Sequence, residues 1–220
     1  MSRAAVLFAQ GLEECEGLIV VDLLRRAKIE TDIVSLDGRE EIISSHNVSI
    51  RADCSFDHSD FRQYDVIVLP GGMPGTRNLQ QDSRVLSVVS DFYQEGKLVA
   101  AICAAPVVLE TAGILSGKEA TVHHKFTEEL VSAKYVSQEV VSDGNIITAW
   151  GLGAAIPFGL SIVERCCGLQ EAERIRKAIG YIHYKNKLED FQLVFNILRY
   201  PDDERNQQMS EPVPVRNGAS

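Results

Sequence analysis

Leu98-Val99-Ala100-Ala101-Ile102-Cys103-Ala104-Ala105-Pro106 is the stretch from which the fold can be read. The apolar run Leu98 to Ile102 reads as a strand buried on both faces. Pro106 opens a helix, because its fixed φ and missing N–H suit a first helical turn. Cys103 then stands on the sharp turn between the two, its side chain directed outward as at the nucleophile elbow of α/β hydrolases. Ala100, Ala101, Ala104 and Ala105 around it are small, as so crowded a turn requires. The glycines that flank the nucleophile in the hydrolase motif are absent. Free amides and the positive dipole end of the following helix favour a thiolate, so the thiol pKa is expected to fall.

Outward from this elbow, short β-branched runs alternate with longer amphipathic segments, the signature of βαβ units and a mostly parallel sheet. Ala4 to Phe8 reads as a first strand, followed by a helix from Glu13-Glu14 to Arg25-Arg26. Its acids sit at the positive dipole end and its arginines at the negative end. Thr31 to Leu36 is a second strand, and Glu41 to Cys54 an antiparallel excursion. Val66 to Leu69 is a buried strand ending in Pro70-Gly71-Gly72-Met73-Pro74-Gly75, which reads as loop throughout. A helix over 83–94 follows, and the helix from Pro106 is expected to continue through Leu115. Ala120-Thr121-Val122 makes a short strand, and Val140 to Thr148 turns at Asp143-Gly144 as a hairpin. Helices over about 154–167 and 170–185 complete the pattern.

The chain has 220 residues, 45% hydrophobic and 24% charged, with a formal net charge of -9. That is an ordinary globular composition, and the negative balance argues against nucleic acid or an anionic membrane as partner. No apolar stretch approaches a bilayer span, and the first apolar run is too short for a signal-peptide core. Five cysteines, an odd number without regular spacing, argue against a disulfide framework and for a reducing cytoplasm. Adjacent Cys166-Cys167 lacks metal-ligand spacing, and no phosphate-binding glycine loop is present, so neither metal nor cofactor is expected.

Ligand sites of open parallel sheets lie beyond the carboxyl ends of the strands. The loop after Phe8, the Gly71-Gly72 loop and Cys103 all fall at such ends. Amides at Gly71 and Gly72 could serve a developing oxyanion, though a tight turn alone would also explain the pair. Glu16, if set in apolar surroundings, would stay protonated and donate to a thiolate. Taken by itself it reads as a solvated acid at a helix start. His123 could complete a Cys-His arrangement, although a surface pair with His124 is the plainer reading.

Gly11-Leu12-Glu13-Glu14-Cys15-Glu16, Val68-Leu69-Pro70-Gly71-Gly72, Gly96-Lys97, Ala100 to Pro106 and Asp143 to Thr148 together resemble the ThiJ/PfpI superfamily. The nearest branch is that of the parkinsonism-associated deglycase and glyoxalase III. The resemblance covers about Arg3 to Lys185 and implies a flavodoxin-like sandwich, related to class I glutamine amidotransferases, in a homodimer. It implies Cys103 as nucleophile, Glu16 as its hydrogen-bond partner, and His123 as the nearby histidine. Gly71, Gly72 and Ala104 map onto the oxyanion amides. The resemblance implies a ThiJ/PfpI-like domain over 1–188; beyond it the residues themselves read as an apolar extension over 189–205 and a polar, disordered tail over 206–220.

Related proteins commonly carry Ser-Arg-Gly-Pro-Gly-Thr where this chain has Ala149-Trp150-Gly151-Leu152-Gly153-Ala154. Trp150 is therefore a candidate for the pocket rim, and His46 stands where an arginine often lies. Members of the family turn methylglyoxal into lactate without a cofactor, remove aldehyde adducts from proteins, or act as peroxide sensors and chaperones. A small aldehyde or a glycated protein is accordingly the expected partner. In a second class of function, Cys103 would record oxidation as sulfenic or sulfinic acid. A peptidase is disfavoured because Ala104 replaces the expected histidine, and an amidotransferase because no downstream His-x-Glu occurs.

Overall fold

The computed structural model describes residues 2–181, and all structural statements concern these. In chain order the elements are β1 (Arg3–Phe8), α1 (Glu14–Arg26), β2 (Glu30–Ser35), β3 (Glu41–Ile43), β4 (Ser49–Arg51), β5 (Cys54–Ser55) and β6 (Val66–Leu69). Then come α2 (Gly75–Gln81), α3 (Ser83–Gln94), β7 (Leu98–Ile102), α4 (Pro106–Thr111), β8 (Glu119–Ala120) and β9 (Lys134–Tyr135). The last are β10 (Val140–Asp143), β11 (Ile146–Ala149), α5 (Ala155–Cys167) and α6 (Leu169–Ala178). The chain divides into a unit ending at Ile175 and a second beginning at Arg176, and the site lies wholly in the first.

Seven strands form the main sheet in the order β10-β11-β7-β6-β1-β2-β5, with every neighbouring pair parallel except β10 and β11. Such strands are covered on both faces, which is why β1, β6 and β7 carry almost no polar residue. The pleat divides them by alternation. Ala5, Leu7, Ile67, Leu69, Val99 and Ala101 share a core with Val85, Val89 and Phe92 of α3 and Val107 to Leu109 of α4. On the other side α1 packs against α5. Val20, Val21, Leu23 and Leu24 of α1 are buried, each contributing roughly 1.5–3 kcal/mol relative to exposure. The architecture is the expected α/β sandwich.

Several boundaries differ from expectation. The helix at Pro106 ends at Thr111, not Leu115. Gly113, at φ 77°, donates to Glu110 O at 2.9 Å, and Ile114 N–H donates to Leu109 O at 3.2 Å. That is a glycine-based Schellman ending, which a left-handed residue closes abruptly. Gly75, expected as loop, begins α2, a mostly polar helix that buries Gly75, Thr76 and Leu79 and so shows little apolar period. The last helix ends at Ala178 rather than about residue 185. The short strand expected over Ala120 to Val122 is instead Glu119–Ala120, paired in parallel with β9, and β3 and β4 form the antiparallel excursion. The extension over 189–205 and the tail over 206–220 lie outside the described residues. Among the described residues, no helix is long and apolar enough to cross a membrane.

Candidate functional site

The carboxyl ends of β1, β6, β7 and β11 share one edge of the sheet, because the four are parallel and in register. Cys103 follows β7 there, and its backbone takes φ 64°, a left-handed conformation costly for a residue with a Cβ. Three backbone bonds hold the turn. Cys103 N–H donates to Ala149 O at 2.8 Å, Ala105 N–H to Ile102 O at 3.0 Å, and His123 N–H to Cys103 O at 2.9 Å. The thiol is half-buried.

Glu16, on the first turn of α1, is 1% exposed. Its Oε2 accepts the Gly71 N–H at 3.0 Å, and the carboxyl is hydrogen-bonded to the Cys103 thiol. Gly71 thus has a different part from the one expected: its amide is taken by Glu16 and positions the acid. The amides directed at the sulfur are those of Gly72 and Ala104. Glycine at both loop positions has a steric cause. A Cβ on Gly71 would lie 2.6 Å from both Cys103 Cβ and Glu16 Oε2. One on Gly72, where φ is 87°, would lie 2.1 Å from Glu13 N.

Burial raises the Glu16 carboxyl to about 7, against the Cys103 and Gly71 hydrogen bonds, which pull it down. The thiol moves opposite to expectation. Burial first, then the Glu16 charge and hydrogen bond, push Cys103 up to about 12, outweighing the Ala104 and Gly72 amides. Two adjacent negative charges cannot share this buried site, so the residues titrate as a pair. The first proton leaves the pair near pH 7, and the second is held until about pH 12.

His123 comes near the sulfur beside Gly151. The Cβ that Gly151 lacks would lie 3.4 Å from His123 Cδ2 and 4.0 Å from Cys103 Sγ, so this glycine sits between the two side chains. Burial, with the nearby His124 and Lys125, lowers the His123 pKa, so its ring is neutral at pH 7. His123 and Trp150 line one cavity of about 530 Å³, together with His124, Tyr135, Ser137 and Leu152. Trp150, the expected rim residue, lines this cavity.

The DJ-1/PfpI family profile matches residues 2–165. The chain belongs to the DJ-1/PfpI family. Among DJ-1/PfpI proteins it is similar to Protein dj-1beta of Drosophila melanogaster, with 38% identity over 182 residues, 81% of this chain and 97% of the relative. The crystal structure of that fly protein superposes with a TM-score of 0.79, covering 81% of this chain and 98% of the other. Glutathione-independent glyoxalase DJ-1 of Schizosaccharomyces pombe is 30% identical over 82% of this chain and 99% of its own length. Toxoplasma gondii DJ-1, solved in an oxidized form, has a TM-score of 0.79 at 30% identity, covering 83% of this chain and 100% of the other.

His46 lies against Glu13 and Glu14. His46 Nδ1 lies 3.1 Å from Glu14 Oε1 and 3.4 Å from Glu13 Oε2, and one ligand atom from each residue falls within 4.8 Å of the others. No local spacing signals this group, because His46 comes from the loop between β3 and β4. Tyr135, Ser137 and Leu152 were likewise not singled out. They reach the cavity from β9, the segment after it, and the loop after β11.

Proposed function

We propose that this protein is a cofactor-independent cysteine enzyme acting on methylglyoxal-type α-oxoaldehydes or their protein adducts. The observation that carries the reading is the buried Glu16–Cys103 pair, with the Ala104 and Gly72 amides on the sulfur. The family relative named a glutathione-independent glyoxalase, which this chain matches over 99% of its length, supports it.

When the pair holds one proton and that proton is on Glu16, the carboxylic O–H donates to a Cys103 thiolate that also accepts from the two amides. Sulfur attacks the aldehyde carbon; a C–S bond forms, and the carbonyl oxygen takes a proton to give a hemithioacetal. Glu16 or neutral His123 then moves the proton from the former aldehyde carbon to the neighbouring carbon through an enediol. The first carbon is oxidised and the second reduced, leaving a 2-hydroxyacyl thioester. Water cleaves that thioester, releasing lactate and restoring the thiol. Electrons move only within the substrate, so the chemistry closes without a redox cofactor. For a hemiaminal adduct on a protein, the C–N bond breaks as the C–S bond forms: the amine or guanidine nitrogen leaves with a proton, giving the same hemithioacetal.

The test is lactate formation from methylglyoxal by pure protein and by Cys103→Ala. Wild-type activity is expected to exceed the variant by at least about 10³-fold, as for loss of a covalent nucleophile. Equal rates would sink the reading. A homodimer belongs to the same proposal, and sedimentation at twice the 24.3 kDa chain mass checks it.

A second reading makes Cys103 a peroxide sensor, favoured by its half-buried thiol and by two amides able to donate to sulfinate oxygens. The oxidized form in which a similar parasite protein was solved is consistent with it. Mass spectrometry after mild peroxide treatment decides, with the exposed Cys15 and Cys167 as internal comparators. Oxidation spread evenly over the three rejects a sensor.

A further inference from the structure

We propose that the cavity beside Cys103 is a subsite for an aromatic substituent on the α-oxoaldehyde, and that Trp150 determines this specificity. The inference rests on the reading of Cys103 as the nucleophile and names the substrate class that the same site prefers.

Size comes first. The cavity holds about 530 Å³, within the range of sites that enclose small organic ligands and well beyond what a methyl group fills. Its position ties it to the chemistry. His123 and Gly151 form its wall toward the sulfur, and the missing Cβ of Gly151 would lie 4.0 Å from Cys103 Sγ. A substrate whose aldehyde carbon reaches the sulfur can therefore lodge its substituent between His123 and Trp150.

Chemistry selects the substituent. The His123 and His124 rings lie 4.1 Å apart, tilted by 35°, and Tyr135 and Trp150 add two further rings. Aromatic faces and edges arranged this way gain by contact with another ring beyond the area they cover. Trp150, Leu152 and Tyr135 are 41%, 48% and 42% exposed, large apolar groups left facing one open space. Among the described residues the lining includes no Asp, Glu, Lys or Arg, and its hydroxyls are those of Ser137 and Tyr135. A cationic arginine or lysine side chain bearing an adduct finds no counter-charge there, so a neutral aryl group is the better occupant.

Backbone hydrogen bonds place the residue that bears the indole. Trp150 follows Ala149, whose carbonyl accepts the Cys103 N–H at 2.8 Å, and its own N–H donates to Glu139 O at 3.2 Å. The backbone bearing the indole is thus tied to the backbone bearing the sulfur.

Trp150 is the only tryptophan in the chain, so its emission reports occupancy independently of turnover. The full chain is titrated with mandelate and with lactate, and kcat/KM is measured for phenylglyoxal and methylglyoxal. Mandelate is expected to perturb the Trp150 emission at concentrations at least about tenfold below lactate. Trp150→Ala is expected to lower the phenylglyoxal to methylglyoxal ratio about tenfold, the scale of one lost apolar contact. Trp150→Phe is expected to recover most of the ratio. A ratio unchanged in Trp150→Ala overturns the proposal. So does emission that ignores mandelate, including that of an indole shielded from acrylamide because protein covers the cavity. Mandelate binding without turnover of either aldehyde supports the aryl subsite and rejects the glyoxalase reading, so the two failures are distinguishable.

Discussion

The two sides of Cys103 are built differently. Toward Gly71 and Gly72 the backbone is so close-packed that a single added methyl group would strike Glu16 Oε2, Cys103 Cβ or Glu13 N. Toward Trp150 the chain opens into a cavity of about 530 Å³ with large apolar side chains half in solvent. The close side sets the charge state of the sulfur through burial, one carboxyl and two amides. The open side comes nearest the sulfur at Gly151, whose absent Cβ would lie 4.0 Å from it. Chemistry is held by the crowded floor, and selectivity is left to the rim.

The largest test of that contrast is Gly72→Ala. It combines a left-handed φ of 87° with a Cβ only 2.1 Å from a backbone nitrogen, which cannot swing away. A loss of about 4 kcal/mol is expected, the scale of strain plus overpacking at a rigid site. Thermal unfolding should fall by more than about 10 °C. A variant as stable as wild type would mean the floor yields.

Glu16 gives the next effect. Its folded pKa of about 7 lies above the ordinary 4.5, so the folded state keeps a proton that the unfolded chain has released. Stability therefore falls as pH rises through this window, and the loss is complete above about pH 7. A shift of this size corresponds to about 3 kcal/mol. Urea unfolding of wild type and Glu16→Gln at several pH values isolates it, because other carboxylates cancel in the difference. The glutamine variant is expected to lack this decline, and parallel curves would remove Glu16 as the cause.

The smallest effect belongs to the rim. Gly153 has nothing within 4 Å of the position its Cβ would take. Gly153→Ala is expected to change stability by less than about 0.5 kcal/mol, as at ordinary surface positions. A larger loss, read by the same urea titration, would show the rim to be as constrained as the floor.

The elbow was readable because its causes are local. An apolar run followed by small residues and Pro106 leaves Cys103 little choice but a turn, and β7 begins and ends where expected. α2 was missed because no apolar period marks it: only Leu79 among its residues is a large buried apolar side chain. The direction of the thiol shift was misread for another reason. Helix-end amides are visible in sequence, whereas burial and the charge of Glu16 come from β6, α1 and their loops folded onto the turn.

From sequence alone came the parallel α/β order, the candidate cysteine and the residue types at its strand ends, since short-range sterics and hydrophobic period fix these. Only the tertiary structure decided that Gly71 serves Glu16 rather than an oxyanion, that Glu16 and Cys103 share their protons, and that Trp150 opens onto a cavity. Each of those depends on distances between segments far apart in the chain, which long-range packing alone determines.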